Sequence, residues 1–244
     1  MIQKFLLTLS FFTRIPAGKQ GFGKLTLADC AVFFPIMGAF IGLIIGVFYI
    51  SALYIGITNY IAAWLSIIFY LLLTGGLHED GLADTADGLA SGRSREQKLA
   101  IMRDSHIGSY GVLALITIIA LKSLLISELT LNAQSLYIFI IAAAVSRAFM
   151  VLIMRTMPYA RNDGLAATCG KPTEINTLVT ISIASSTLLL ATSPTTAFSC
   201  VTALFITYII LRYVFNKHFG GITGDTLGAS QQVGEVLLFM FLTY

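Results

Sequence analysis

Charge is what this sequence has least of. Only 11% of its 244 residues are Asp, Glu, Lys or Arg, against about 25% in an ordinary soluble domain. With 57% hydrophobic residues and a mean hydropathy of +0.85, the chain cannot cover a globular surface in water. That excludes a soluble fold and points to an integral membrane protein. Cysteine is scarce too. Cys30, Cys169 and Cys200 lie far apart without metal-ligand spacing, so neither a disulfide framework nor a cysteine metal site is expected. The formal net charge of +3 is too small to argue for a nucleic-acid partner. No repeat or low-complexity tract is visible and nothing marks a second domain, so residues 1–244 read as one membrane-embedded domain.

What is present is apolar length. A helical span needs about 20 apolar residues. Segments 31–56, 59–75, 110–128, 135–154, 176–193, 197–215 and 231–244 are the candidates. The last is short, so the expectation is six or seven spans. Uninterrupted runs lack the alternation of a barrel, and the predicted class is an all-α, polytopic helical bundle in the lipid bilayer. The opening stretch "MIQKFLLTLSFFTRIP" has the look of a signal peptide, but no small-residue cleavage site follows. It reads better as an N-terminal interfacial helix.

Basic residues divide the connections between spans into two groups. Lys4, Arg14, Lys19 and Lys24 precede the first span; Arg93, Arg95, Lys98 and Arg103 lie in 76–109; Arg155, Arg161 and Lys171 lie in 155–175; Lys217 lies in 216–230. The alternate connections near 57–58, 129–134 and 194–196 hold no Lys or Arg. The positive-inside rule makes the basic side cytoplasmic. Most of the acid falls on that side as well. Lys122 sits inside a predicted span with no evident partner.

The acid is concentrated in "GGLHEDGLADTADG", residues 75–88. At about 100° per residue, Asp80, Asp84 and Asp87 fall within an arc of about 60°. Such neighbours are about 6 Å apart, and each like-charge pair costs roughly 3 kcal/mol at an effective dielectric of about 20. A bare stripe of this kind protonates, distorts or binds cations; as hard oxygen ligands these carboxylates suit Mg²⁺. Asp225, in "GGITGDTLGA", could join them, although capping the final helix is an equally good reading of Asp225 alone. Arg147 is predicted within a span. A buried Arg needs an anion, either a phosphate or an acid of the stripe. Arg155 and Arg161 read first as topology determinants. His78 could be base, ligand or plain structure. Metal-ready acid, phosphate-ready Arg and a membrane setting together suggest phosphoryl transfer on a membrane-associated substrate.

These residues, together with "LSFFTRIP" (9–16), "FPIMGAFIG" (34–42), "IMRDSHIGSYG" (101–111), "VSRA" (145–148) and "YARNDGL" (159–165), resemble the cobalamin synthase, or adenosylcobinamide-GDP ribazoletransferase, family. The likeness runs in order over nearly the whole chain. It implies a Mg²⁺-dependent transferase of the bacterial or archaeal inner membrane, with its active site facing the cytoplasm. The implied reaction joins adenosylcobinamide-GDP to α-ribazole or its 5′-phosphate and releases GMP. By this resemblance Asp80, Asp84 and Asp225 would hold the metal on the diphosphate. Asp87 and Asp104 would be reserve ligands or the base, while Arg147, Arg161 and His78 would bind substrate. The ribazole 5′-hydroxyl would attack the phosphorus joined to cobinamide. A homo-oligomer is compatible with all of this. Glu79 and His106 depart from the family pattern, which expects an apolar residue and Arg at these places. A fainter echo of CDP-alcohol phosphotransferases, in "DTADGLASGR", fails at Ser91 and Gly92, where Ala-Arg would be needed. A cation-coupled transporter would also place acids in a membrane, but near mid-span instead of in connecting loops.

Overall fold

The computed structural model describes residues 1–16, 25–91, 94–161 and 169–244. Lys19, Lys24, Gly92, Arg93 and the 162–165 part of "YARNDGL" lie outside them. Among the described residues the helices are α1 (Ile2–Phe12), α2 (Phe33–Tyr54), α3 (Asn59–Thr74), α4 (Leu77–Ser91), α5 (Arg95–Ile101), α6 (Ser109–Ser127), α7 (Ala133–Thr156), α8 (Glu174–Ala191), α9 (Pro194–Phe219) and α10 (Gly224–Thr243). The all-α expectation holds, and α2, α3, α6, α7, α8 and α9 fall on predicted apolar runs.

Among the described residues the number of spans is five or six, reaching the lower end of the expectation. Five helices (α2, α6, α7, α8 and α9) are long and apolar enough to cross a membrane, and α3 passes only jointly with α4, from which it bends by 92°. The segment expected at 231–244 is part of α10, whose middle carries buried Gln231, Gln232 and Glu235. Those polar side chains take α10 out of the apolar class, because their partners lie inside the protein. The 11 residues of α1 rise only about 16 Å, short of a core about 30 Å thick. Instead α1 docks: the Phe12 ring meets Phe34 edge-on at 4.8 Å.

At the centre stands α7, buried along most of its length. It can be enclosed because α2 presents Gly38, Gly42 and Gly46 along one stripe, the small-residue spacing that lets membrane helices approach closely. A Cβ placed on Gly38 or Gly42 would run into the backbone carbonyls of Ala143 and Phe139. Backbone cannot step aside as a side chain can. Gly42→Leu should therefore cost at least the roughly 1–3 kcal/mol of an overpacked core. It should appear as a lower melting temperature in detergent. A wild-type melt would show that α2 and α7 do not need this contact.

Candidate active site

Two glycine turns bring the acidic segments together. Gly75 ends α3 in the left-handed region, φ 73°, and Gly76 follows at φ 69°, so the chain can break out of one helix and restart at once as α4. Before α10, Gly220 closes α9 at φ 73°. Tyr159 and Ile222 then form an isolated parallel bridge. The Ala160 N–H donates to the Ile222 carbonyl at 2.8 Å, and the Ile222 N–H donates to that of Pro158 at 2.8 Å. This short pairing draws the segment ending in Arg161 to the start of α10. One Arg161 guanidinium nitrogen lies 3.4 Å from Asp225 Oδ2.

Between α4 and α10 the backbones touch. A Cβ on Gly81 would meet Asp225 backbone at 2.8 Å, and one on Gly228 would meet His78 backbone at 3.2 Å. The stretches at 75–88 and 220–229 therefore do meet. Asp84 feels the charges of Asp80, Asp225 and Asp87, and Asp225 feels Asp80 and Arg161. Capping of α10 falls to Thr223, whose side chain accepts from the Thr226 N–H, so that reading of Asp225 is dropped.

The acids differ in their partners. Asp87 is buried and takes the Gly108 N–H at 2.8 Å and the Gly111 N–H at 2.9 Å, one on each oxygen. It thereby satisfies donors that the start of α6 cannot satisfy itself. Asp104 is exposed beside His106, with Nδ1 at 2.7 Å, and hydrogen bonds from that residue hold its carboxyl below the ordinary aspartate value. Asp225 has Arg161 and the Thr223 hydroxyl. Asp80, exposed, and half-buried Asp84 make no hydrogen bond or ion pair with the described residues. They lie one helical turn apart and next to Asp225. No three His, Cys, Asp or Glu side chains among the described residues converge as a ready metal cage. Two free carboxylates with room for other ligands suit Mg²⁺, which keeps water and phosphate on most of its positions.

A second charged cluster lies deeper, and the sequence reading missed it. Lys122 Nζ sits 2.5 Å from Glu235 and 3.7 Å from Glu79, and Arg147 Nη1 sits 3.7 Å from Glu235. Arg147 also donates to the Tyr70 hydroxyl at 3.2 Å and to the Ala143 carbonyl at 3.0 Å. Gln232 donates to Glu79 at 2.9 Å, and Gln231 donates to Ser146 at 3.1 Å. Two cations and two anions thus balance in a site closed to solvent. The signal available in the sequence was the pair Lys122 and Glu235, two charges inside apolar runs of opposite sign.

Three expectations change as a result. Arg147, at 0% exposure, is turned toward Glu235 and Tyr70, so its anion in this structure is a side chain of the protein. Its acidic partner is also not a stripe aspartate. His78 is buried with its ring 5.5 Å from that of Phe12, so it stands in the packing between α1 and α4. Asp87 is committed to the start of α6. Asp80, Asp84, Asp225 and Arg161 remain together as one partly open constellation.

The chain matches the protein family described as cobalamin-5-phosphate synthase over residues 4–243. It is 37% identical over 235 residues to the adenosylcobinamide-GDP ribazoletransferase of Bradyrhizobium diazoefficiens, covering 95% of this chain and 89% of that protein. To the protein of that name from Shewanella amazonensis it is 38% identical over 250 residues, covering 99% and 95%. To the one from Escherichia coli K12 it is 37% identical over 248 residues, covering 99% and 100%. No solved structure matches the chain.

The deep cluster predicts a stability coupling. Glu235→Leu leaves Lys122 and Arg147 to share Glu79, and an unpaired buried charge costs about 3–5 kcal/mol. The variant should melt well below wild type in detergent. Lys122→Met combined with Glu235→Leu restores the balance of Arg147 and Glu79 and should recover most of the loss. Additive losses in the double variant would show that the two residues do not interact.

Proposed function

The chain belongs to the cobalamin-5-phosphate synthase family, and from that premise we propose that it joins adenosylcobinamide-GDP to α-ribazole, or to its 5′-phosphate, with release of GMP. The observation that carries the assignment of the site is the pair of unpartnered carboxylates, Asp80 and Asp84, set against Asp225 and Arg161. The reaction then runs at the cytoplasmic face of the inner membrane, as the Lys/Arg asymmetry of the connecting loops indicates.

Asp80 and Asp84, with Asp225 beside them, would hold Mg²⁺, which when bound neutralises charge on the diphosphate and on the departing phosphate. Arg161 supplies a guanidinium fork to the same diphosphate, its Asp225 contact of 3.4 Å being long enough to exchange for phosphate oxygens. The bond that forms joins a ribose oxygen to the phosphorus next to cobinamide, and the bond that breaks is the phosphoanhydride to GMP. The attacking group expected above needs correction. A product that keeps a 5′-phosphate, as the family description says, cannot have been made through the 5′ oxygen, so another ribose hydroxyl is the nucleophile. Its proton goes to a free oxygen of Asp80 or Asp84. Asp87 has both oxygens occupied, and the lowered carboxyl of Asp104 is a weaker base. A transporter reading finds no support in the buried acids, since Glu79 and Glu235 are taken by Lys122 and Arg147.

Asp80→Asn and Asp84→Asn keep shape and remove charge. Each should lower GMP release from adenosylcobinamide-GDP by about 10²–10³-fold with an unchanged melting temperature, whereas Asp104→Asn should remain within a few fold. Near-normal turnover of both stripe variants at saturating Mg²⁺ would sink the site assignment. Orientation has its own test. In a background lacking the native cysteines, Ser94→Cys should react with an impermeant thiol reagent in inverted vesicles and Asn132→Cys in right-side-out ones. The opposite pattern would move the site to the other face.

A further inference from the structure

One further cavity lies at the other end of the stripe from Arg161. It has a volume of about 620 Å³ and opens where α1, α3 and α4 meet, within the range of small-molecule sites. Its walls combine apolar Phe11, Leu77 and Leu115 with three ionisable side chains, Arg14, Asp80 and Glu79, of which Glu79 is turned to Lys122 and Gln232. Arg14 is fixed by its backbone, whose N–H donates to the Leu73 carbonyl at 2.7 Å. Its guanidinium lies over Gly75, where a Cβ would sit 3.2 Å from both the central carbon and a terminal nitrogen. Beside it nothing comes within 4 Å of a Cβ position on Gly76, so the floor of the cavity is open there. Arg14 is exposed and, like Asp80, makes no ion pair with the described residues. With Glu79 engaged by Lys122, Arg14 and Asp80 are the two charges of the wall left without a partner, and they leave room for a ligand between them.

We propose that Arg14 is the residue that recognises the 5′-phosphate of the acceptor, α-ribazole 5′-phosphate, and so sets the preference for the phosphorylated over the free nucleoside. The inference rests on the transferase reading above. A guanidinium fork is suited to a terminal phosphate, and the apolar wall suits a flat aromatic base. The diphosphate of the other substrate is drawn to the opposite end of the stripe, where Asp84, Asp225 and Arg161 lie. Asp80 borders both spaces, so a ribose bridging from the Arg14 cavity brings its hydroxyl toward the reacting phosphorus. A lipid headgroup would offer the same phosphate chemistry at this depth, and the test separates the two sources.

The test compares both acceptors on the detergent-purified enzyme. Losing a charge-assisted phosphate contact costs about 10- to 100-fold in affinity. Arg14→Gln should raise KM for α-ribazole 5′-phosphate by that factor and KM for α-ribazole far less. KM for adenosylcobinamide-GDP should change little, and Arg14→Lys should recover part of the loss. Calorimetric binding of α-ribazole 5′-phosphate without the second substrate should weaken in parallel. Equal effects on both acceptors, or a rise confined to adenosylcobinamide-GDP, would overturn the assignment. An effect that follows the anionic lipid content of nanodiscs and ignores the acceptor would assign Arg14 to lipid instead. If Arg14→Gln does not fold, the same comparison on Arg14→Lys decides. Wild-type enzyme that releases no GMP with either acceptor would instead refute the transferase reading itself, a result distinct from any of these.

Discussion

The arrangement depends on four charges closed off from water. Lys122, Glu235, Arg147 and Glu79 come from α6, α10, α7 and α4, and Tyr70 adds α3. In a membrane interior each charge would be costly alone. Together they are neutral, and breaking any one contact exposes the cost of another. That makes the cluster a five-helix clamp. It holds together elements that apolar packing alone, which in lipid gains little from burial, would leave free to slide.

The site follows from how α4 is held. One residue, Glu79, is buried and reaches into the clamp, while its neighbour Asp80 is exposed. The helix cannot rotate without pulling Glu79 from Lys122 and Gln232, so the direction of Asp80 and Asp84 is fixed from below. The far end is fixed by Asp87, which ties α4 to the first turn of α6. Gly81 then lets α10 come close enough to bring Asp225 alongside. Residues that look redundant in the stripe thus divide the work: some aim the helix, and others are left free at its surface.

Much of this was legible in the sequence. Apolar runs mark the spanning helices, and the 100° periodicity marks the helical stripe of Asp80, Asp84 and Asp87. What misled was charge read one residue at a time. Arg147 in a span calls for an anion, but nothing local says whether that anion is a ligand or Glu235, 88 positions further along the chain. The same holds for Lys122. Asp87 shares its periodicity with Asp80 and Asp84 and differs only in standing opposite the start of α6, a tertiary fact. The last segment was read as apolar because its polar residues are few, yet those few are the ones that face inward. Arg14 was counted as a topology charge, and only the fold shows it beside Asp80.

Density of acid is therefore a poor guide to chemistry here, and absence of a partner is a better one. A folded chain this short of charge has every reason to pair the acids it carries, since an unpaired carboxylate near lipid is unfavourable. Glu79, Glu235, Asp87 and Asp225 are paired within the fold. Asp80 and Asp84 are not, although cations are close by: Arg161 is already turned to Asp225, and Arg14 shares a cavity with Asp80 without reaching it. Such frustration persists in a stable fold when something outside the chain relieves it. The divalent cation and phosphate proposed above would do so from both directions, the cation meeting the carboxylates with its charge and the phosphate meeting the guanidinium groups with its oxygens. On that proposal, the unpaired acids of α4 and the unpaired Arg14 beside them mark where the ligand would sit, in the charges the fold does not use for itself.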